Sequence, residues 1–522
     1  MAERVTLDAM IQRADFAIGA NDGTTTEQIQ TLSVESLSSS SMIVPMLRKP
    51  DFQRETNQWT TQQLVTFLTS YLDLELIPSV ILWRSPAYVF VIDGGHRLSV
   101  LRAWIENDYG DGIVSQKYFG NEISDEQKRI ADRVRKLVGA AVGTYAQVKD
   151  ALVNPDSYDR EMVQRARNMA TRQLSLQWVV GDALKAESSF FKINTQGTPL
   201  DKTEETLLRN RKRPVAIAAR SILRAGTGHK YWSQFDAEKA HQIVEISKEI
   251  HQLLFKPDLR QPIKTLALPL GGGASPVNAL ELLIRFTTLA CASQQTQYPA
   301  IESFPDDLDG DATITVLKKC LSVASWLTGN NAASLGLHPA VYFYTDQGRH
   351  STDMFLAFVS LVSRKLTFNH KSFFAQFIKN RAEVEIFLIN LKPLLALLIN
   401  AVTSRARVQK LSEFIEAIVS RADAGEPLDV KWAIEFIAPN SRTKLLGAVD
   451  AAAGQEFTRE TKSAIFMRDS LQSALKCSIC SGYLEPSVSV SYDHDTPVRD
   501  GGRGSVENGK LTHPYCNTGI KN

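Results

Sequence analysis

Four residues near the C-terminus limit how this chain can fold. Cys477-Ser-Ile-Cys480 and His513-Pro-Tyr-Cys516 set out a C-x2-C…H-x2-C pattern, and the stretch between them, ending "SYDHDTPVRDGGRGSVENGKLT", is rich in Gly, Asn and charge. Such a segment has too few apolar side chains to hold itself together by burial. A tetrahedral zinc ion takes four soft or borderline ligands, and two tight turns offering two ligands each meet that need. Metal binding then supplies the folding energy that the missing core cannot. Three of the five cysteines crowd into the last 46 residues, which favours a metal over disulfides in a cytoplasmic protein. The alternative is that the four residues are unrelated. Cys291 and Cys320 stand alone inside helical patterns and read as core thiols.

At 522 residues the chain is too long for one ordinary domain. Its 43% hydrophobic and 22% charged residues describe a globular protein, neither disordered nor fibrous. The formal net charge of +2 excludes a globally basic nucleic-acid binder, so any such surface must be local. Basic runs occur at Lys128–Lys136, Arg160–Arg172 and Arg209–Arg213, and each by itself reads as a solvated helix face. The amphipathic start, "MAERVTLDAMIQRADFAIGA", lacks a signal-peptide core. The most apolar segment, Ile386 to Val402, is interrupted by Lys392-Pro393 and short for a bilayer span, so a buried helix is expected and no membrane partner.

Along the chain, residues 1–45 are polar and read as a leader. From 46 to 210 the text is mixed. "SVILW" and "YVFVI" are β-branched and aromatic runs split by Ser85-Pro86, hence a strand pair, and "LSLQWVVGD" is a further strand. Thr60–Leu72 and Leu98–Glu106 read as helices. From 211 to 470 helix follows helix. In "KAHQIVEISKEIHQLLF", for example, Ile243, Ile246, Ile250 and Leu254 form one stripe. "LGGGASP" is a loop, either a hinge or a close approach to something. Residues 471–522 form the Cys-rich tail. The expected class is multidomain α+β with an all-helical middle.

Within the tail, Val488, Val490 and Tyr492 alternate, which predicts a strand ending on Asp493-His494. Pro497, Gly501-Gly502, Asn508 and, past the second knuckle, Asn517 and Lys521 follow. This order resembles the HNH nuclease family with its zinc-stapled ββα-metal motif, which runs C-x2-C, D-H-x-x-P, G-G, N, C-x2-C-N-x-x-K. His513 replaces the usual cysteine, and Asp495 stands where the family has an apolar residue. The resemblance implies metal-dependent phosphodiester hydrolysis. Neutral His494 would be the general base, and Asp493 and Asn517 would hold Mg2+ or Mn2+. Asn508 would orient the His494 ring or its strand. Cys477, Cys480, His513 and Cys516 would bind structural Zn2+.

In the front half, "VFVIDGGHRLSVLRAW" runs a strand into Asp93-Gly94-Gly95 with a helix opening at His96-Arg97. Backbone amides at a helix start plus an arginine form a phosphate cradle. A turn closed by a salt-bridged arginine reads equally well, and His96 is equally a packed histidine. With "PDFQRETNQW" upstream and "FFKINTQGTPL" downstream, the segment resembles the DGQQR-type domain of GmrS-type modification-dependent restriction proteins. That domain is related to ParB and sulfiredoxin N-terminal domains. Here Gly95-His96 replaces the Gln-Gln pair of the family string. The resemblance implies an NTP site at Arg54, Asp93, Gly94, Gly95, His96, Arg97 and Asn194 that regulates the nuclease. The joint reading is a sensor, a helical middle and an HNH nuclease that cuts or nicks foreign, phage-type DNA in bacterial defence. A competing reading is a non-catalytic reader of modified DNA whose zinc tail only binds. A third is a nicking enzyme unrelated to defence. Paired breaks from one HNH site would need a dimer or two visits, and homo-oligomerisation stays open.

Overall fold

The computed structural model describes residues 4–16, 28–51, 53, 59–196, 202–274, 276–292, 299–439 and 457–519. The chain divides into two compact units, Met1–Arg211 with Thr227–Gln234 and Lys212–Gly226 with Phe235–Asn522.

The first unit is built on a six-stranded mixed sheet. Its strands are β1 (Arg13–Ala14), β2 (Thr31–Ser33), β3 (Leu47–Pro50), β4 (Val80–Arg84), β5 (Val89–Asp93) and β6 (Gln173–Val179), in the order β1-β3-β5-β4-β6-β2. The predicted pair β4 and β5 is antiparallel, with Trp83 opposite Phe90, and β6 runs parallel to β4 with Leu82 opposite Trp178. "VFVI" is apolar at every position because both faces of the sheet are covered. Val80, Leu82, Val89 and Val91 join the larger core, whereas Trp83, Phe90 and Ile92 pack on the other face with Phe16, Phe190 and Leu208. The Thr61–Leu72 helix is closed at its start by a capping box between Thr60 and Gln63, a reciprocal satisfaction of two orphan amides.

The stretch read as a leader contributes to this core. Val5, Leu7, Met10, Ile11, Leu32, Val34 and Leu37 are buried in it. β1 pairs with β3 and β2 with β6. Asp8, only 2% exposed, accepts from Lys49 Nζ at 2.8 Å and from Arg13. Buried charges of this kind persist only when paired. The short, polar character of the segment reflects edge strands and a buried ion cluster, features that hydrophobic periodicity does not register.

The second unit is helical up to its C-terminal portion. It contains helices Ala237–Phe255, Pro276–Ala290, Asp311–Leu327, Thr352–Thr367, Arg381–Ala401, Arg407–Asp423 and Arg459–Gln472 among others. The Ile243/Ile250/Leu254 stripe is buried. Arg381–Ala401 runs continuously through Pro393 rather than breaking there. Lys392 is buried with it and donates to the Tyr344 carbonyl. No helix among the described residues is long and apolar enough to cross a membrane. Cys320 is fully buried, as a core thiol should be, whereas Cys291 is half-buried, with its thiol pushed up to about 11 by burial.

The Cys-rich tail packs as part of this same unit and not as a body of its own. Its strands β7 (Ser491–His494) and β8 (Gly509–Thr512) form an antiparallel hairpin, followed by the short Pro514–Gly519 helix. The predicted strand is shorter than its Val488/Val490/Tyr492 alternation suggests. Ser489 Oγ donates to Gly329 O at 2.7 Å and Val490 N to Asn330 Oδ1 at 3.0 Å, so these residues are spent on docking to the 329–336 loop.

Candidate metal centre and active site

Cys477 and Cys480 sit on a tight turn closed by Cys477 N to Gly482 O at 2.8 Å and Ser481 N to Cys477 O at 2.9 Å, with Ser481 left-handed at φ 55°. β8 ends on Thr512, which delivers His513, and the following helix carries Cys516. The four ligand atoms, three Sγ and one imidazole nitrogen, lie within 4.8 Å of one another and all four residues are buried. His513 Nδ1 is 3.4 Å from Cys480 Sγ, and its Nε2 lies 3.0 Å from the Tyr483 carbonyl. An Nε2–H donating to that carbonyl leaves the Nδ1 lone pair for a metal, the usual outer-shell arrangement of a metal-bound histidine. Burial, with Arg381 nearby, holds the His513 pKa below its ordinary value, which keeps the ring neutral.

The donor set fits zinc. Hydrogen bonds from Cys480 and Cys516 draw the Cys477 thiol far below its ordinary value. The Cys480 thiol is pushed up to about 11 by its hydrogen bond to Cys477, and Cys516 higher still for the same reason. One sulfur ionises at its neighbours' expense, and a divalent cation is what lets all three ionise together.

This centre fixes the hairpin above it. Ser478 N donates to Leu511 O at 3.0 Å, tying the first knuckle to β8. Asp493 and His494 stand at the end of β7, opposite Lys510 and Gly509 of β8. His494 is half-buried, and its amide donates to Asp493 Oδ1 at 2.8 Å. Asn517 follows directly on the ligand Cys516. Its side-chain nitrogen donates to Ser491 Oγ at 2.9 Å and to the Tyr492 carbonyl at 3.1 Å. The Asn517 amide is thereby held against the strand that bears Asp493, with its oxygen left as a ligand atom.

Asn508 does something other than touch the His494 ring. Its Oδ1 accepts from Thr496 N at 2.7 Å and its Nδ2 donates to Thr496 O at 3.1 Å and Arg503 O at 2.9 Å. Asp495 N donates to the Asn508 carbonyl at 2.8 Å. The side chain clips the 495–503 loop that follows the Asp-His pair. Gly502 lies inside that clip, where an added Cβ would come 1.8 Å from Thr496 O.

In the first unit, Asp93 ends β5 and Gly94 is left-handed, φ 94°, at the start of the Gly95–Glu106 helix, which has no side-chain cap. The helix opens one residue earlier than the sequence suggests. Arg97 Nη2 donates to Asp93 Oδ2 at 2.8 Å and to the Ser79 carbonyl at 3.1 Å, so the salt-bridged turn is formed. A Cβ on Gly94 would press on Val80 at 3.0 Å and Arg97 Nη2 at 3.1 Å. His96 stacks on Trp59 with ring centroids 5.7 Å apart, and Gln53 Nε2 donates to Ile92 O at 3.4 Å. Arg54 lies outside the described residues. Asn194 falls in the Ala183–Gln196 helix. Sequence reasoning passed over the Trp59–His96 stack, although both residues stood in quoted motifs. It also missed Arg381 and Glu385, whose four-residue spacing on an apolar helix was a readable signal.

Residues 34–211 match the N-terminal domain of the GmrSD restriction endonucleases. The match covers the sheet unit from the end of β2 onward, about a third of the chain. No curated protein and no solved structure matches the chain.

Proposed function

We propose that the protein is a nucleotide-regulated, metal-dependent DNA endonuclease of the HNH type, acting on foreign DNA. The observation that carries this reading is the Asp493-His494 pair at the end of a hairpin stapled by the Cys3His cluster, with Asn517 placed one residue after a cluster ligand. The match of residues 34–211 to a restriction-endonuclease domain supports the same substrate. In the reaction, His494 takes a proton from the attacking water while the phosphate lies against the β7–β8 hairpin. A divalent ion held by Asp493 and Asn517 would supply stabilisation of the charge that builds on the phosphate and the departing 3′ oxygen. Asn508 keeps the loop beyond His494 in place. A zinc ion held by Cys477, Cys480, His513 and Cys516 would supply rigidity to the site and not reaction chemistry. Gating by a nucleotide at Asp93–Arg97 rests on the uncapped helix start beside the Arg97 guanidinium; a phosphate there would compete with Asp93 for Arg97.

The test compares plasmid nicking by wild type and His494→Ala in magnesium or manganese, on plain and phage DNA, with and without NTPs. Zinc content is measured in both proteins. Metal-dependent nicking lost in the variant is the expected result. Absence of cleavage by the zinc-loaded wild type under every condition, with phage protection unchanged in His494→Ala, would favour the DNA-modification reader. Nucleotide gating fails separately if Arg97→Ala cleaves at the same NTP-dependent rate as wild type.

A further inference from the structure

The helical unit contains a cavity of about 270 Å³ that no part of the nuclease reading uses. It lies between the start of the Thr352–Thr367 helix and the middle of the Arg381–Ala401 helix. Its apolar wall comes from Leu388, Leu395, Ile399 and Met354, and Tyr344 also lines it. Three features give it charge. Lys392 is 7% exposed, and among the described residues its Nζ donates to the Tyr344 carbonyl. Ser351 stands at the N-cap of the Thr352–Thr367 helix but makes no side-chain cap bond, so the first-turn amides of a 16-residue helix are left as donors. Arg349 sits at the rim, 65% exposed, loosely paired with Glu460 at 3.5 Å. The one carboxylate of the lining, Asp353, is already neutralised by Arg285 at 3.4 Å and Arg407 at 3.7 Å.

We infer that this cavity binds a small phosphate ester with an apolar or aromatic remainder. A rim arginine, a buried lysine that an anion would protonate and a row of helix-start amides match a dianion with several acceptor oxygens better than a carboxylate. The volume sits just under the roughly 300 Å³ at which organic-ligand pockets begin, so the ligand belongs at the small end of that range. Burial lowers the Lys392 pKa to about 7, against a smaller opposing pull from the Asp346 charge. An anion beside that nitrogen restores the charge, so binding at pH 8 takes up a proton.

The experiment is calorimetric titration of the full chain with inorganic phosphate and with each nucleoside 5′-monophosphate, at pH 8 in two buffers of different ionisation enthalpy. It is carried out in the Arg97→Ala background to silence the first unit. Saturable binding of at least one mononucleotide with proton uptake is expected. Lys392→Met should weaken it by roughly tenfold to a hundredfold and abolish the proton uptake. If Lys392→Met does not fold, Ala396→Trp, which fills the cavity from an exposed lining position, should block binding in a folded chain. No saturation by any mononucleotide overturns the proposal. Binding undiminished in both variants overturns it too, and saturation by inorganic phosphate alone overturns the organic ligand class.

Discussion

Arg381 and Glu385 form an ion pair, Nε to Oε1 at 2.7 Å, in which neither side chain has any solvent exposure. The other side-chain hydrogen bonds of the pair, among the described residues, go to elements outside its own helix. Arg381 donates to Leu335 O at 2.6 Å and Gly336 O at 2.9 Å. Glu385 accepts the Tyr342 hydroxyl and the Tyr483 amide, both at 2.7 Å. Tyr483 in turn accepts from the ligand His513, and Gly482 packs so closely that a Cβ there would meet Arg381 Cδ at 2.7 Å. The pair is the dock on which the metal centre rests.

Glu385→Ala therefore leaves a guanidinium buried and uncompensated, a loss of about 3–5 kcal/mol. Tyr342→Phe removes one hydrogen bond to a charged partner and should cost about 1.5–3 kcal/mol. Urea unfolding of both variants checks the order. Glu385→Ala should also release zinc faster to a chelator, because its loss frees the Tyr483 amide beside the knuckle. Equal stability of Glu385→Ala and wild type would remove the docking role.

The metal prediction is stoichiometric. The full chain should carry one zinc per molecule. Cys516→Ser should lose it, and with it the order of the β7–β8 hairpin, since apparent zinc binding in such sites amounts to roughly 10–16 kcal/mol. Elemental analysis reads the first, and proteolysis between residues 485 and 510 the second. Because Asn517 follows Cys516, nicking should fall with the zinc even when magnesium is supplied.

Much of this was legible because short-range spacing dictates it. The C-x2-C and H-x2-C turns converge as the spacing requires, and "VFVI" reads as a two-sided strand because every position is apolar. The segments that misled are those where long-range partners decide. Residues 4–16 look polar because Asp8, Arg13 and Lys49 answer one another across the core, a cancellation invisible along the chain. Pro393 looks like a helix breaker, yet the helix continues because its neighbours Leu391, Lys392 and Leu395 are buried on its inner face. The resemblance implies that Asn508 orients the His494 ring or its strand; its bonds go to Asp495, Thr496 and Arg503, the residues that leave that strand.

The Asn508 clip yields a prediction about the loop. Gly502→Ala drives a methyl into the Thr496 carbonyl and the Asn508 side chain, whose Nδ2 is 2.9 Å from the added atom. Overpacking of about 1–3 kcal/mol translates into a roughly fivefold to 150-fold fall in nicking when it falls on the active conformation. Zinc content should be unchanged. Gly504→Ala is the control, since a Cβ there meets nothing within 4 Å. Equal nicking by the two variants would show that the clip does not support the reaction.

The last prediction concerns acid. His338 is 1% exposed, and its Nδ1 accepts the Ala340 amide at 3.2 Å as the N-cap of the Pro339–Tyr342 helix. Burial, then the Lys392 and Arg381 charges, lowers its pKa to about 3. The unfolded chain binds a proton at this histidine below about 6.5, whereas the native chain does not until about pH 3. More protons on the unfolded state means that stability falls as pH drops through that window. By pH 4.5 the loss from this one group is about 2–3 kcal/mol. Glu485, whose Oε2 is 3.8 Å from His338 Nε2 and whose pKa is raised by burial, titrates with the opposite sign. The comparison is therefore made against a variant. His338→Asn keeps an acceptor for the Ala340 amide and removes the titration. It should be the weaker protein at pH 7, through the smaller side chain, and should close that gap or reverse it at pH 4.5. Parallel loss of stability in the two proteins from pH 7 to 4.5, read by urea unfolding, would assign the acid sensitivity to other groups.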